Sequence, residues 1–208
     1  MAALFSGVAL LANIVAGISL PLALGATTVL LVFALGVIWA RMSGPARELM
    51  TVVAVRGIVI ALLAIVSYDS SRFVLSQLDP SPFDPFAVWL IFGQLLVGTG
   101  AAHDVALAAG VGFHLLNGVS FGLAYAFVFG RMAVRSRRLA LATGVGWGLF
   151  LETFQLTLYP GWLNITTYKE FVTISFLGHI VYGLVLGALG HLWLPWSRDD
   201  DADLEAGE

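Results

Sequence analysis

Between residues 3 and 40 the chain carries no charged side chain. A helix on the surface of a water-soluble domain keeps one polar face. A run this long without one has to be covered by something other than water, and lipid is the cover that suits it. The rest of the chain continues the pattern. Of 208 residues, 59% are hydrophobic and 11% are charged, with a mean hydropathy of +0.93. Soluble domains carry about 25% charged residues, so this chain cannot build a water-facing shell. In hydrocarbon the backbone must satisfy its own polar groups, which selects helices here. The expectation is an all-α polytopic transmembrane helix bundle over residues 1–196, followed by an acidic, solvated tail at 197–208.

Several function classes fall away early. There is no cysteine, so disulfides, thiolate metal sites and cysteine nucleophiles are excluded. No basic patch interleaved with aromatics appears, which argues against nucleic-acid binding. The expected partners are the lipid bilayer and, because the chain is small for a transporter acting alone, a second copy in a homodimer. The apolar N-terminus lacks a basic leading region and runs past signal-peptide length, so it reads as a retained helix of a multi-pass cell-membrane protein.

Proline, glycine and charge divide the chain. Pro21 and Gly25 split the first run into helices at about 3–20 and 26–41. A third helix spans about 50–67, and Tyr68-Asp69-Ser70-Ser71-Arg72 caps it as a surface turn with a weak ion pair. Residues 86–100 are apolar but short. Helices at about 105–130, 139–158 and 171–195 complete the set. Arg131, Arg135, Arg137 and Arg138 form the strongest basic loop, with Arg41 and Arg47 the second, and both belong on the cytoplasmic side. That orientation requires 86–100 to be re-entrant or interfacial. About 15 residues of helix rise only about 22 Å, short of a core roughly 30 Å thick. Six spanning helices plus one short segment, with both termini cytoplasmic, follow; seven spans is the competing count. Trp89, Trp162, Trp193 and Trp196 read as interfacial anchors. Asn164-Ile-Thr166 matches a glycosylation acceptor on the outer side.

Three helices repeat one motif. His114, Gly118 and Gly122 fall at four-residue steps, as do His179, Gly183 and Gly187, and, read backwards, Glu152, Gly148 and Gly144. Four residues make about one helical turn, so each set shares a face. Small residues at this spacing let helices pack closely in lipid. The three faces are expected to nest through their glycines and to bring His114, Glu152 and His179 together in the outer leaflet. Asn117, Gln155 and Tyr182 would orient them. Arg56 falls near mid-membrane and needs an acceptor, for which Glu152 is one candidate.

Ionisable groups inside a membrane are costly, which makes this cluster the candidate site. A hydrogen-bonded network that only fixes helix register is the competing structural explanation. The functional readings are a pocket transporting or binding a cation, proton or small polar solute, or a divalent metal held by His114, Glu152 and His179 in an enzyme acting on a lipid-like substrate. A third places the chain as an assembly subunit of a membrane complex. No His-Glu-x-x-His motif is present. Gly118-Val-Ser120-Phe-Gly122 matches the serine-hydrolase string, but in mid-helix it lacks the elbow that exposes the hydroxyl. His114 and Asn117 resemble a polar pair of the rhomboid intramembrane proteases, whose Gly-x-Ser-Gly nucleophile string is absent here. Taken whole, the chain resembles the small polytopic membrane proteins of bacteria and archaea, a resemblance that implies neither activity nor site residues.

Overall fold

The computed structural model describes residues 4–79, 84–163 and 169–196, and these form eight helices. They are α1 (Phe5–Ala16), α2 (Leu20–Arg41), α3 (Gly44–Leu78), α4 (Ala87–Val97), α5 (His103–Val128), α6 (Gly130–Arg135), α7 (Arg137–Leu163) and α8 (Lys169–Trp193). Five are long and apolar enough to cross a membrane: α2, α3, α5, α7 and α8. The chain is an all-α integral membrane bundle. The 197–208 tail, Pro80, Pro82 and the Asn164–Thr166 sequon lie outside the described residues.

The first break falls at Gly17, not at Pro21 and Gly25. Gly17 closes α1 in the left-handed conformation (φ 66°), which glycine adopts without steric cost. Pro21 sits in the first turn of α2, where no intrahelical N–H is required. The consequence is a short α1. Its 12 residues rise about 18 Å, too little to span. The expected sixth crossing is therefore a second short apolar helix beside α4. For α4 the short reading of 86–100 holds: it has 11 residues and turns back at Gly98-Thr99-Gly100 into α5.

α3 also departs from expectation. It runs on through the Tyr68–Arg72 segment for 35 residues. Its buried face, set by Val53, Gly57, Ile60, Ala61, Ala64 and Ile65, continues in register through Tyr68, Arg72 and Ser76. Arg56 on this helix finds an acceptor other than Glu152. Its Nη1 donates to the Trp193 carbonyl at 2.7 Å, at the C-terminal end of α8, where a cation meets unpaired carbonyls and the negative end of the helix dipole.

Two apolar clusters hold the molecule. The larger joins α3, α5, α6, α7 and α8 around Ile60, Tyr125, Trp147 and Leu186. The smaller joins α1, α2, α4 and α5 around Leu10, Leu20, Phe92 and Phe113. Glycines set how closely the helices approach. Between α7 and α8, a Cβ on Gly144 would stand 2.1 Å from the Gly183 carbonyl oxygen, and one on Gly187 would stand 2.3 Å from the Ala140 oxygen. Backbone meets backbone there, as the motif predicts. The α5 face behaves differently. Gly118 lies against the Ile65 side chain and Gly122 against Ala61, so the α5 glycines seat α3 rather than α7 and α8. A further seam, absent from the motif, pairs Gly93 with Ala106 and Gly110 with Trp89 in the α4–α5 hairpin.

Pairings such as Ala61 with Gly122 and Gly148 with His179 fix directions: α3 and α7 run one way, α5 and α8 the other. Arg41, Arg47, Arg131, Arg135 and Arg137 therefore gather at one end. Trp196 is buried there rather than belted at the surface; it packs on Gly130 and donates to the Ala126 carbonyl at 3.2 Å.

Candidate functional site

The ionisable groups of the bundle interior lie about 18 Å along α3 from Arg56, toward the end away from the arginines. Four helices supply them. From α7, Glu152 is 1% exposed. Its Oε2 accepts from His179 Nδ1 on α8 at 2.8 Å and from the Ser175 hydroxyl at 3.1 Å. The Gln155 amide, one turn along α7, donates to the same Ser175 hydroxyl at 2.7 Å. His179 Nδ1 also faces the Ser175 carbonyl at 3.0 Å. The sequence motif thus places Glu152, Gln155 and His179 together, with the Gly144/Gly148 and Gly183/Gly187 seam below.

His114 is not part of that pair. Its Nε2 donates to Asp69 Oδ2 at 3.0 Å, a residue of α3. Among the described residues no group of three or more His, Asp and Glu side chains is arranged to hold a metal ion. The expected ligand set of His114, Glu152 and His179 is not assembled. The reason is the α5 glycine face: because Gly118 and Gly122 seat α3, His114 is delivered to an α3 carboxylate instead of to α7.

Tyr68 links the two pairs. Its ring centroid is 4.9 Å from that of His179, edge on, and 6.2 Å from that of His114. Arg72, one turn on, is 2% exposed. Its guanidinium stands 4.0 Å from Asp69 Oδ1, hydrogen-bonds the Pro85 carbonyl, and lies over the Tyr68 and Phe86 rings. In the segment expected to be a surface turn, Tyr68 and Arg72 are buried and form the floor of the site. Tyr182 closes one side, its hydroxyl donating to the Gly118 carbonyl at 2.8 Å and so tying α8 to α5.

Comparison with family models, curated proteins and solved structures finds no match for this chain. Its chemistry has to be argued from the site itself.

These groups surround a cavity of about 90 Å³, lined by Tyr68, Arg72, His114, Asn117, Gln155 and His179, with Tyr182 and apolar residues of α3, α4 and α5 completing the wall. The lining polar atoms are biased toward one role. A carboxylate or carbonyl oxygen has no proton to give, so the ring nitrogen facing it carries one. That fixes the proton on Nε2 of His114 and on Nδ1 of His179. In the neutral rings, Nδ1 of His114 and Nε2 of His179 are then acceptors. Asn117 is 8% exposed, and its Oδ1 has no partner among the described residues. Gln155 spends its amide N–H on Ser175 and keeps its carbonyl oxygen. The cavity offers several acceptors to whatever occupies it.

Sequence reasoning missed Tyr68, Asp69 and Arg72 as site residues. The signal was the apolar period of α3, which passes through Tyr68 and Arg72 without changing phase.

Proposed function

We propose that this membrane protein binds a small polar solute or cation that donates hydrogen bonds, in the intramembrane cavity between α3, α5, α7 and α8. The observation that carries this reading is the pair of carboxylate-oriented imidazoles, His114–Asp69 and His179–Glu152, both lining one cavity. A network serving only packing would saturate its polar atoms internally. Here Asn117 Oδ1 is buried and unpaired among the described residues. Ligand sites are concave, largely apolar and carry a few convergent polar groups, and this cavity has that composition. The gathering of arginines at the other end supports an orientation with that end, and the C-terminus, cytoplasmic and the cavity in the outer half of a cell membrane.

Isothermal titration of the purified protein with ethanolamine, and with acetate as a small acceptor, tests this. Saturable binding of ethanolamine that is lost in Glu152→Gln and Asn117→Leu is expected, with acetate silent. Ethanolamine binding untouched by both substitutions, or none in the native protein, refutes it.

A further inference from the structure

A second cavity, of about 150 Å³, adjoins the first. Phe121, Leu151, Gln155 and His179 line both. Their chemistry differs sharply. Apart from these residues the second is lined only by apolar side chains and Gly7, from α1 with the preceding Leu4 and from α7, among them Val8, Leu11, Phe150 and Phe154. It exists because α1 is short and packs mainly on α2, touching α5 and α7 only lightly. The seam between α1 and α7 is therefore loosely packed. Val8, Phe150 and Phe154 stand on it, and Val8 and Phe150 are about half exposed (50% and 47%). A concave, largely apolar lining of this kind suits a hydrocarbon segment.

We infer that the ligand of the polar cavity is a single-chain amphiphile, with an alcohol or amine head group, that enters sideways from the bilayer between α1 and α7. This rests on the binding reading above and names the ligand class. The head would lie among the acceptors of His114, Asn117, Gln155 and His179. The first several carbons of its chain would fill the α1–α7 cavity, and the remainder would stay in lipid. Donor head groups are selected because the free cavity atoms accept. A carboxylate head has no proton to offer these acceptors, and the Arg72 guanidinium that lines the cavity is already engaged by Asp69 and the Pro85 carbonyl.

The probe is an alkyl amine of about ten carbons carrying a mid-chain diazirine, with the carboxylic acid of the same length as comparator. Photolysis in nanodiscs, followed by peptide mapping, reads the site. Labelling by the amine is expected at Val8, Leu11, Phe150 or Phe154, several-fold above the acid. Leu11→Trp, which fills the apolar cavity, should abolish it while ethanolamine still binds; Val8→Phe is the alternative if Leu11→Trp does not fold. Labelling spread evenly over lipid-facing residues such as Val29 and Phe33 of α2, or equal for acid and amine, overturns the inference. If ethanolamine binds but no cavity residue is labelled, the sideways amphiphile falls and the polar site stands. If neither occurs, both fall.

Discussion

Placing a methyl group at Gly148 tests the link between helix packing and the polar site. A Cβ there would stand 2.2 Å from the His179 carbonyl oxygen and 3.1 Å from its carbon, with the Gly183 Cα at 3.5 Å. The obstacle is backbone, so no side-chain rotation relieves it. Restoring ordinary contact requires α7 and α8 to part by about 1 Å, the scale of overpacking that costs about 1–3 kcal/mol. The same parting stretches the 2.8 Å His179–Glu152 bond to nearly 4 Å, beyond hydrogen-bonding range. Intramembrane hydrogen bonds average about 0.6 kcal/mol, so the total loss for Gly148→Ala is about 2–4 kcal/mol. The control lies two residues away. A Cβ on Gly146 meets nothing within 4 Å, and Gly→Ala in a helix interior gains up to about 1 kcal/mol. Unfolding in mixed micelles titrated with sodium dodecyl sulfate, followed by circular dichroism, reads the two variants against the native protein. Gly148→Ala should unfold at clearly lower detergent fraction and lose ethanolamine binding, while Gly146→Ala matches or exceeds the native midpoint. Equal behaviour of the two refutes the argument, since their helix propensities are identical and only the neighbour differs.

Three further outcomes are expected. Glu152→Gln preserves shape and should lower stability by no more than about 1 kcal/mol, while ligand affinity falls at least tenfold because the carboxylate that orients His179 and strengthens its free nitrogen as an acceptor is gone; calorimetry and detergent unfolding together separate the two effects. Arg72→Ala leaves Asp69 as a part-buried charge without its neighbouring guanidinium and should cost about 3–5 kcal/mol, with Arg72→Lys recovering little because a point charge cannot serve Asp69 and the Pro85 carbonyl at once. The chain has no native cysteine, so single substitutions report topology directly. In intact cells Thr99→Cys, in the turn between α4 and α5, should react with a membrane-impermeant maleimide, and Ser136→Cys, among the arginines, only after permeabilisation.

The parts of this fold legible in the sequence are those governed by a single helix or a single pair. Uncharged runs mark the membrane helices. The Gly144/Gly148 and Gly183/Gly187 faces mark the α7–α8 seam, and that seam places Glu152 beside His179. What could not be read is the choice of partner. Gly118 and Gly122 form the same motif, but a glycine face states only that some backbone or side chain comes close. Ile65 and Ala61 of α3 present the bulk that fills it. The first break was misplaced because Pro21 and Gly25 are tolerated in a helix, one in its first turn and one facing open space, whereas Gly17 alone takes the left-handed conformation.

That shift has a physical consequence for the site. A bundle of fully spanning helices closes its interior at every depth, because each helix fills the same cross-section throughout. Here α1 and α4 fill it only in part, and both pack beside α5. The space they leave is flanked by α7 on one side and by the Tyr68–Arg72 turn of α3 on the other, and the two cavities occupy it. Phe121, Leu151, Gln155 and His179 line both, so one imidazole faces a polar and an apolar chamber. Neutralising that imidazole's partner and filling the apolar chamber should therefore act on the same ligand by separate routes. In the double variant Glu152→Gln with Leu11→Trp, labelling by the alkyl amine should be absent, as in Leu11→Trp alone, whereas ethanolamine affinity should follow Glu152→Gln alone. Equal loss of ethanolamine binding in Leu11→Trp would mean that the two chambers collapse as one, and that α1 is a structural lid over a single site.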